Sequence, residues 1–124
     1  MTVTKTNLIK ILGNIKCVVE TIESGDGIMY LGTDKGIIYR YNSTTGAMTK
    51  SQVRQAKILC GVYDGSTYIY FGTDKGKIIR YTVSGGAVSD LYKEFDRAIV
   101  SIDYYSSYLW VGLSNGQFAK VSVS

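Results

Sequence analysis

A chain of 124 residues, 45% hydrophobic and 19% charged, has room for one compact domain and the balance of a folded chain, which excludes disorder as its main state. Fourteen Lys and Arg against ten Asp and Glu leave +4, a mild lean toward acidic partners that falls short of the dense basic stripe of a DNA-binding arm. The absence of histidine removes the commonest general base at neutral pH and the commonest transition-metal ligand, so neither catalysis nor a cofactor is expected.

In chain order, the first apolar run is Leu8 to Val19, which Lys10 and Lys16 interrupt well short of the roughly 18 residues of a membrane helix. Met1 to Leu12 lacks the apolar core and small-residue cleavage site of a secretory signal, so a cytoplasmic location is expected. Val3 to Leu12 reads as a strand. Beyond it a repeat begins. Met29-Tyr-Leu-Gly-Thr-Asp-Lys-Gly-Ile-Ile-Tyr-Arg-Tyr41 returns as Ile69-Tyr-Phe-Gly-Thr-Asp-Lys-Gly-Lys-Ile-Ile-Arg-Tyr81, and a diverged third copy runs from Leu109 to Val121. Gly32, Gly72 and Gly112 thus recur every 40 residues, as do Gly36, Gly76 and Gly116.

Each copy is rich in Ile, Val, Tyr and Phe, contains no proline, and is punctuated by Gly, Asp, Asn and Ser, which favours strands over helix. Thr-Asp-Lys-Gly suits a tight hairpin, with Asp opening the turn by bonding its own backbone and Gly supplying a positive φ. A strand precedes each hairpin over Lys16 to Thr21, Lys57 to Val62 and Ile99 to Tyr104. A more polar strand follows over Ala47 to Val53 and Ala87 to Phe95. Four strands per 40 residues is the blade of a β-propeller, so the expected fold class is all-β. The aromatic-apolar-Gly-Thr, Asp-x-Gly and apolar-x-Arg-Tyr pattern over residues 15–124 resembles the blades of two-component-regulator and quinoprotein-like propellers and, more loosely, WD repeats. That resemblance implies architecture; such propellers include enzymes, lectins and interaction platforms.

The units are 15–55, 56–97 and 98–124, with 1–14 carrying a closing strand. The third copy stops after three strands, so one, four, four and three strands make twelve, or three blades once the N-terminal strand completes the last. Propellers typically have 4–8 blades, so a six-bladed homodimer is expected, each N-terminal strand completing the other chain's last blade. The alternative is a fragment of a longer propeller.

Cys17 and Cys60 lie in apolar runs without CxxC spacing and read as buried free thiols. Asp-Lys-Gly places a cation beside the only carboxylate, which disfavours calcium, and no helix follows to make a phosphate loop. Tyr30, Tyr70 and Trp110 share one repeat position and suit packing between blades. Arg40, Arg80 and Lys120 share another and suit pairing with turn carboxylates, snorkelling or anion binding. The acids Glu20, Glu23, Asp64, Asp103 and Glu94 scatter without forming a catalytic pair. Hairpin and inter-unit turns should emerge on one face, gathering Lys35, Lys75, Arg54, Arg97, Lys16 and Lys57 against Asp34, Asp74 and Asp96. This positively biased face is the candidate site for an acidic protein or anionic ligand in a binding scaffold; a lectin-like or small-anion-binding propeller and a nucleic-acid-backbone binder are the alternatives.

Overall fold

The computed structural model describes residues 9–52 and 56–123, and all regular structure there is antiparallel β. Sheet one has the order β1 (Ile15–Glu23), β2 (Asp26–Thr33), β3 (Ile37–Asn42), β4 (Met48–Gln52). Sheet two repeats it with β5 (Ile58–Tyr63), β6 (Tyr68–Thr73), β7 (Lys77–Thr82), β8 (Val88–Glu94). Sheet three has only β9 (Ile99–Tyr105), β10 (Tyr108–Leu113) and β11 (Phe118–Ser122). No helix of the described residues is long and apolar enough to cross a membrane. The closing strand expected over Val3 to Leu12 lies mostly outside the described residues. Its described part, from Ile9, carries no strand, and the Leu12 amide donates to the Tyr39 hydroxyl at 3.3 Å.

The sequence repeat is a register repeat. Gly32 pairs with Ile38, Gly72 with Ile78 and Gly112 with Phe118; Tyr30 pairs with Arg40, Tyr70 with Arg80 and Trp110 with Lys120. The hairpins close alike, through Gly36, Gly76 and Gly116 amides donating to the carbonyls of Thr33, Thr73 and Leu113. In the first two turns a buried threonine does what sequence reasoning gave to aspartate. Thr33 Oγ1 accepts from the Ile37 amide and donates to its carbonyl, and Thr73 does the same with Lys77. The aspartates reach elsewhere: Asp34 accepts from the Asn14 amide and side chain, and Asp74 from the Lys57 amide at 2.8 Å. They tie the hairpin to the link that enters the same sheet, because the carboxylate stands beside the unpaired amide ahead of the first strand.

A bulge recurs at the start of each first strand, between Ile15 and Cys17, Ile58 and Cys60, and Ile99 and Ser101. The sheets then stack through alternating side chains. Ile28, Tyr30 and Ile38 of sheet one meet Ile58, Ile69, Phe71, Ile79 and Tyr81 of sheet two. Tyr70 and Ile78, on the reverse of sheet two, meet Ile99, Leu109, Val111 and Val121 of sheet three. The middle sheet is therefore buried on both faces and each outer sheet on one. At about 1.5–3 kcal/mol per large apolar side chain, these two interfaces dominate the favourable side of folding.

Gly76, at φ +80°, would place a Cβ against the Phe95 backbone carbonyl, whereas Gly116, at φ +87°, has open space around it. Gly76→Ala should cost about 3 kcal/mol in urea unfolding and Gly116→Ala about 1 kcal/mol. Equal losses would contradict the assignment of the larger cost to packing of the link against the turn.

Candidate functional site

The hairpins position Lys35 and Lys75 at the same place in the Thr-Asp-Lys-Gly turns, one residue before the left-handed glycine. The chain entering β1 passes close to Lys35: a Cβ on Gly13 would lie 2.6 Å from Lys35 Cγ. Lys57 sits just ahead of β5, fixed by its amide donating to Asp74 and its carbonyl accepting from the Asp74 amide at 3.0 Å. Lys35, Lys57 and Lys75 line one open depression of about 350 Å³ with Asp34, Ala56 and Asp74. Lys75 and Asp74 also border a neighbouring one of about 420 Å³, with Glu94, Phe95, Asp96, Arg97 and Ala98. Arg97 donates to its neighbour's carbonyl, that of Asp96, at 3.2 Å. Lys16 lies at the mouth of β1, where its charge joins the Asn14 hydrogen bonds in holding Asp34 below the usual carboxylate range. Arg54 lies outside the described residues.

Four of the six expected cations thus gather in two adjoining depressions. The two linings hold Lys35, Lys57, Lys75 and Arg97 against Asp34, Asp74, Glu94 and Asp96, four of each sign. Glu94 was assigned to no face by the sequence; it lies at the end of β8, within the strand expected over Ala87 to Phe95.

A second polar site lies at the other end of the strands and was missed. Glu23 accepts from Arg40 at 2.8 Å through one oxygen and from the Tyr30 and Thr21 hydroxyls, each at 2.7 Å, through the other. Burial pushes Glu23 up, but the hydrogen bonds and the Arg40 charge outweigh it and hold the carboxyl below its usual range. The pair borders a cavity of about 450 Å³ with Thr49, Lys50, Ser51, Tyr81 and Ser84 to Gly86; no second carboxylate is in this lining. Glu23 is therefore a paired anion rather than a poised acid. The repeat position of Arg40 was the available signal, but its partner sits 17 residues away, beyond a turn whose length differs between units.

Arg80 and Lys120, equivalent to Arg40, instead lie over aromatic rings: Arg80 over Tyr68 at 4.4 Å, Lys120 over Tyr108 at 4.3 Å and Trp110 at 5.6 Å. Tyr30 packs edge-on against Tyr81 and Tyr70 stacks on Tyr104, both between sheets as expected; Trp110 is exposed. Cys17 and Cys60 are free thiols. Burial raises Cys17 from 9.0 to about 11 and Cys60 to about 12. Among the described residues no cluster of three potential metal ligands occurs.

No family model matches the chain, and no curated protein matches it. Among solved structures, it is similar to the crystal structure of the computationally designed Ika4 protein, with 12% identity, a TM-score of 0.58, and coverage of 100% of both chains. The likeness is one of fold alone.

With no histidine, the melting temperature should stay level between about pH 6 and 8. Cys17, Cys60 and Tyr70, the last pushed up to about 12 mainly by burial, keep their protons in the fold after the unfolded chain has lost them. Their contribution is complete below about pH 9 and is lost as pH climbs through the folded-state values. Calorimetry should show a fall confined to that alkaline range and to acid, where Glu23 protonates; a drop between pH 6 and 8 would contradict this.

Proposed function

We propose that this chain is half of a six-bladed β-propeller, completed as a homodimer, and serves as a non-enzymatic binding scaffold for an acidic protein segment. Sheets of four, four and three strands, stacked face to face, support the ring reading. The observation that carries the binding reading is the convergence of Lys35, Lys57 and Lys75, from two hairpins and a link, on one depression. Asp34 and Asp74 beside them are engaged by the Asn14 and Lys57 amides, which leaves less of their charge to oppose an incoming anion. Exposed ion pairs contribute only about 0–1 kcal/mol each, so affinity would need several at once and weaken with salt.

Carboxylates interleaved with the cations of the described linings favour a protein segment with its own charge pattern over a nucleic-acid backbone, which needs several unopposed cations. Two unpaired thiols fit a reducing compartment such as the cytoplasm. The cavity beside Glu23 and Arg40 supports a second reading, a small polar ligand such as a sugar, because hydroxyls and the Tyr81 ring line it together.

A labelled oligoglutamate peptide titrated by fluorescence anisotropy tests the first reading. Binding should fall about tenfold with Lys35→Glu plus Lys75→Glu, fall with added salt, and survive Lys50→Glu on the opposite side. No binding, or equal loss with Lys50→Glu, would overturn it. Tighter binding of single-stranded DNA with a steep salt slope would move the assignment to nucleic acid.

A further inference from the structure

The exposed apolar side chains of this molecule are not scattered. Ile15, Val18 and Ile22 lie on sheet one, and Val100, Tyr105, Trp110 and Phe118 on sheet three. Register pairing shows what several of these positions do elsewhere in the chain. Phe118 is 77% exposed, yet its equivalents Ile38 and Ile78 are 1% and 0% exposed, covered by the following sheet. Trp110 is 37% exposed, against 0% and 2% for Tyr30 and Tyr70. On sheet one the deficit is on the opposite face. Ile15 is 47% exposed, whereas Ile58 and Ile99, at the same register position, are completely buried against the preceding sheet. Met29, Leu31 and Tyr41 are only half-buried where Ile69, Phe71 and Tyr81 are buried.

Each internal interface is centred on one contact. A Cβ on Gly32 would lie 2.6 Å from Ile58 Cγ2, and one on Gly72 2.5 Å from Ile99 Cγ2, so the isoleucine of the following sheet occupies the place of a glycine side chain. Gly112 occupies the same register position in sheet three, without a left-handed φ. Among the described residues, a Cβ there would meet only the Ser101 side chain of its own sheet. No other sheet of the described residues places a side chain here; the one obstacle to a Cβ is the Ser101 hydroxyl, which would have to turn away.

We infer that Gly112 is the seat for Ile15 of a second copy, and that the open face of sheet three and the open face of sheet one are the two halves of one seam. In that seam Trp110 and Phe118 are covered by the partner's Met29, Leu31 and Tyr41, as Tyr30 and Ile38 are covered by Ile69, Phe71 and Tyr81. The contact is heterologous, so it forms either a ring or an open chain of copies. Six is the one multiple of three within the usual 4–8 blades, so two copies close it. This seam rests on the ring reading above and is independent of what the loop face binds.

The internal contacts set the test. An ideal Cβ on Gly32 lies 3.4 Å from Ile58 Cβ, close to the separation that a disulfide spans. Ile15→Cys with Gly112→Cys, in a Cys17→Ser, Cys60→Ser background, should oxidise to a covalent species of two chains on non-reducing gels, and neither single cysteine should do so. Gly112→Gln, which among the described residues has only the Ser101 side chain to displace, should keep the β circular dichroism spectrum and halve the mass measured by light scattering. A native mass of two chains with no cross-link, or a mass indifferent to Gly112→Gln, overturns the seam and leaves the two-copy reading standing. A single-chain mass for the native protein overturns both, and a ladder of covalent oligomers overturns closure at two copies.

Discussion

Everything in this molecule hangs on an isoleucine of one sheet resting where the side chain of a glycine in the preceding sheet would be. Gly32 under Ile58 and Gly72 under Ile99 bring the sheets close enough for Tyr30, Ile38, Tyr70 and Ile78 to be covered almost completely. A single four-stranded sheet has two apolar faces and cannot bury either alone, so each repeat is stable only between neighbours. The middle unit has both neighbours, and the outer two have one each.

The local chemistry serves that stacking. The bulge at the start of each first strand interrupts the ladder beside the buried isoleucine, and the Asp34 and Asp74 carboxylates pin the incoming link to the hairpin at the same end. At the other end Glu23 and Arg40 satisfy each other beside the Tyr30–Tyr81 contact, with Tyr30 donating to Glu23. In the third unit Leu113 and Ser114 stand in place of threonine and aspartate. There the turn relies on the Leu113 amide donating to Gln117 and on the Asn115 and Gln117 side chains bonding each other. The Ser114 amide still donates to the Ala98 carbonyl, so the backbone part of the tie survives without the carboxylate.

Much of the fold was legible because glycine spacing is a direct record of backbone geometry. Gly36, Gly76 and Gly116 have φ between +74° and +87°, and their 40-residue period located the β2–β3, β6–β7 and β10–β11 hairpins. Partnerships were not legible, because an aspartate bonding its own turn and one bonding a link 17 or 20 residues earlier look alike in sequence. The place of Glu94 was not legible either: the strand that carries it was expected, but not the depression it shares with Asp96 and Arg97. The equivalence of Arg40, Arg80 and Lys120 held for backbone register but not for their contacts, since one meets a carboxylate and two meet rings.

Trp110 is the sole tryptophan, and it stands on the face that the account closes with a second copy. Its fluorescence, followed by acrylamide quenching as the native protein is diluted, reports that closure directly. Emission should be blue-shifted and poorly quenched while copies are paired, turning red-shifted and quenchable when dilution separates them. Emission as open to quencher as that of the unfolded chain, at every concentration, would show that no second copy covers sheet three.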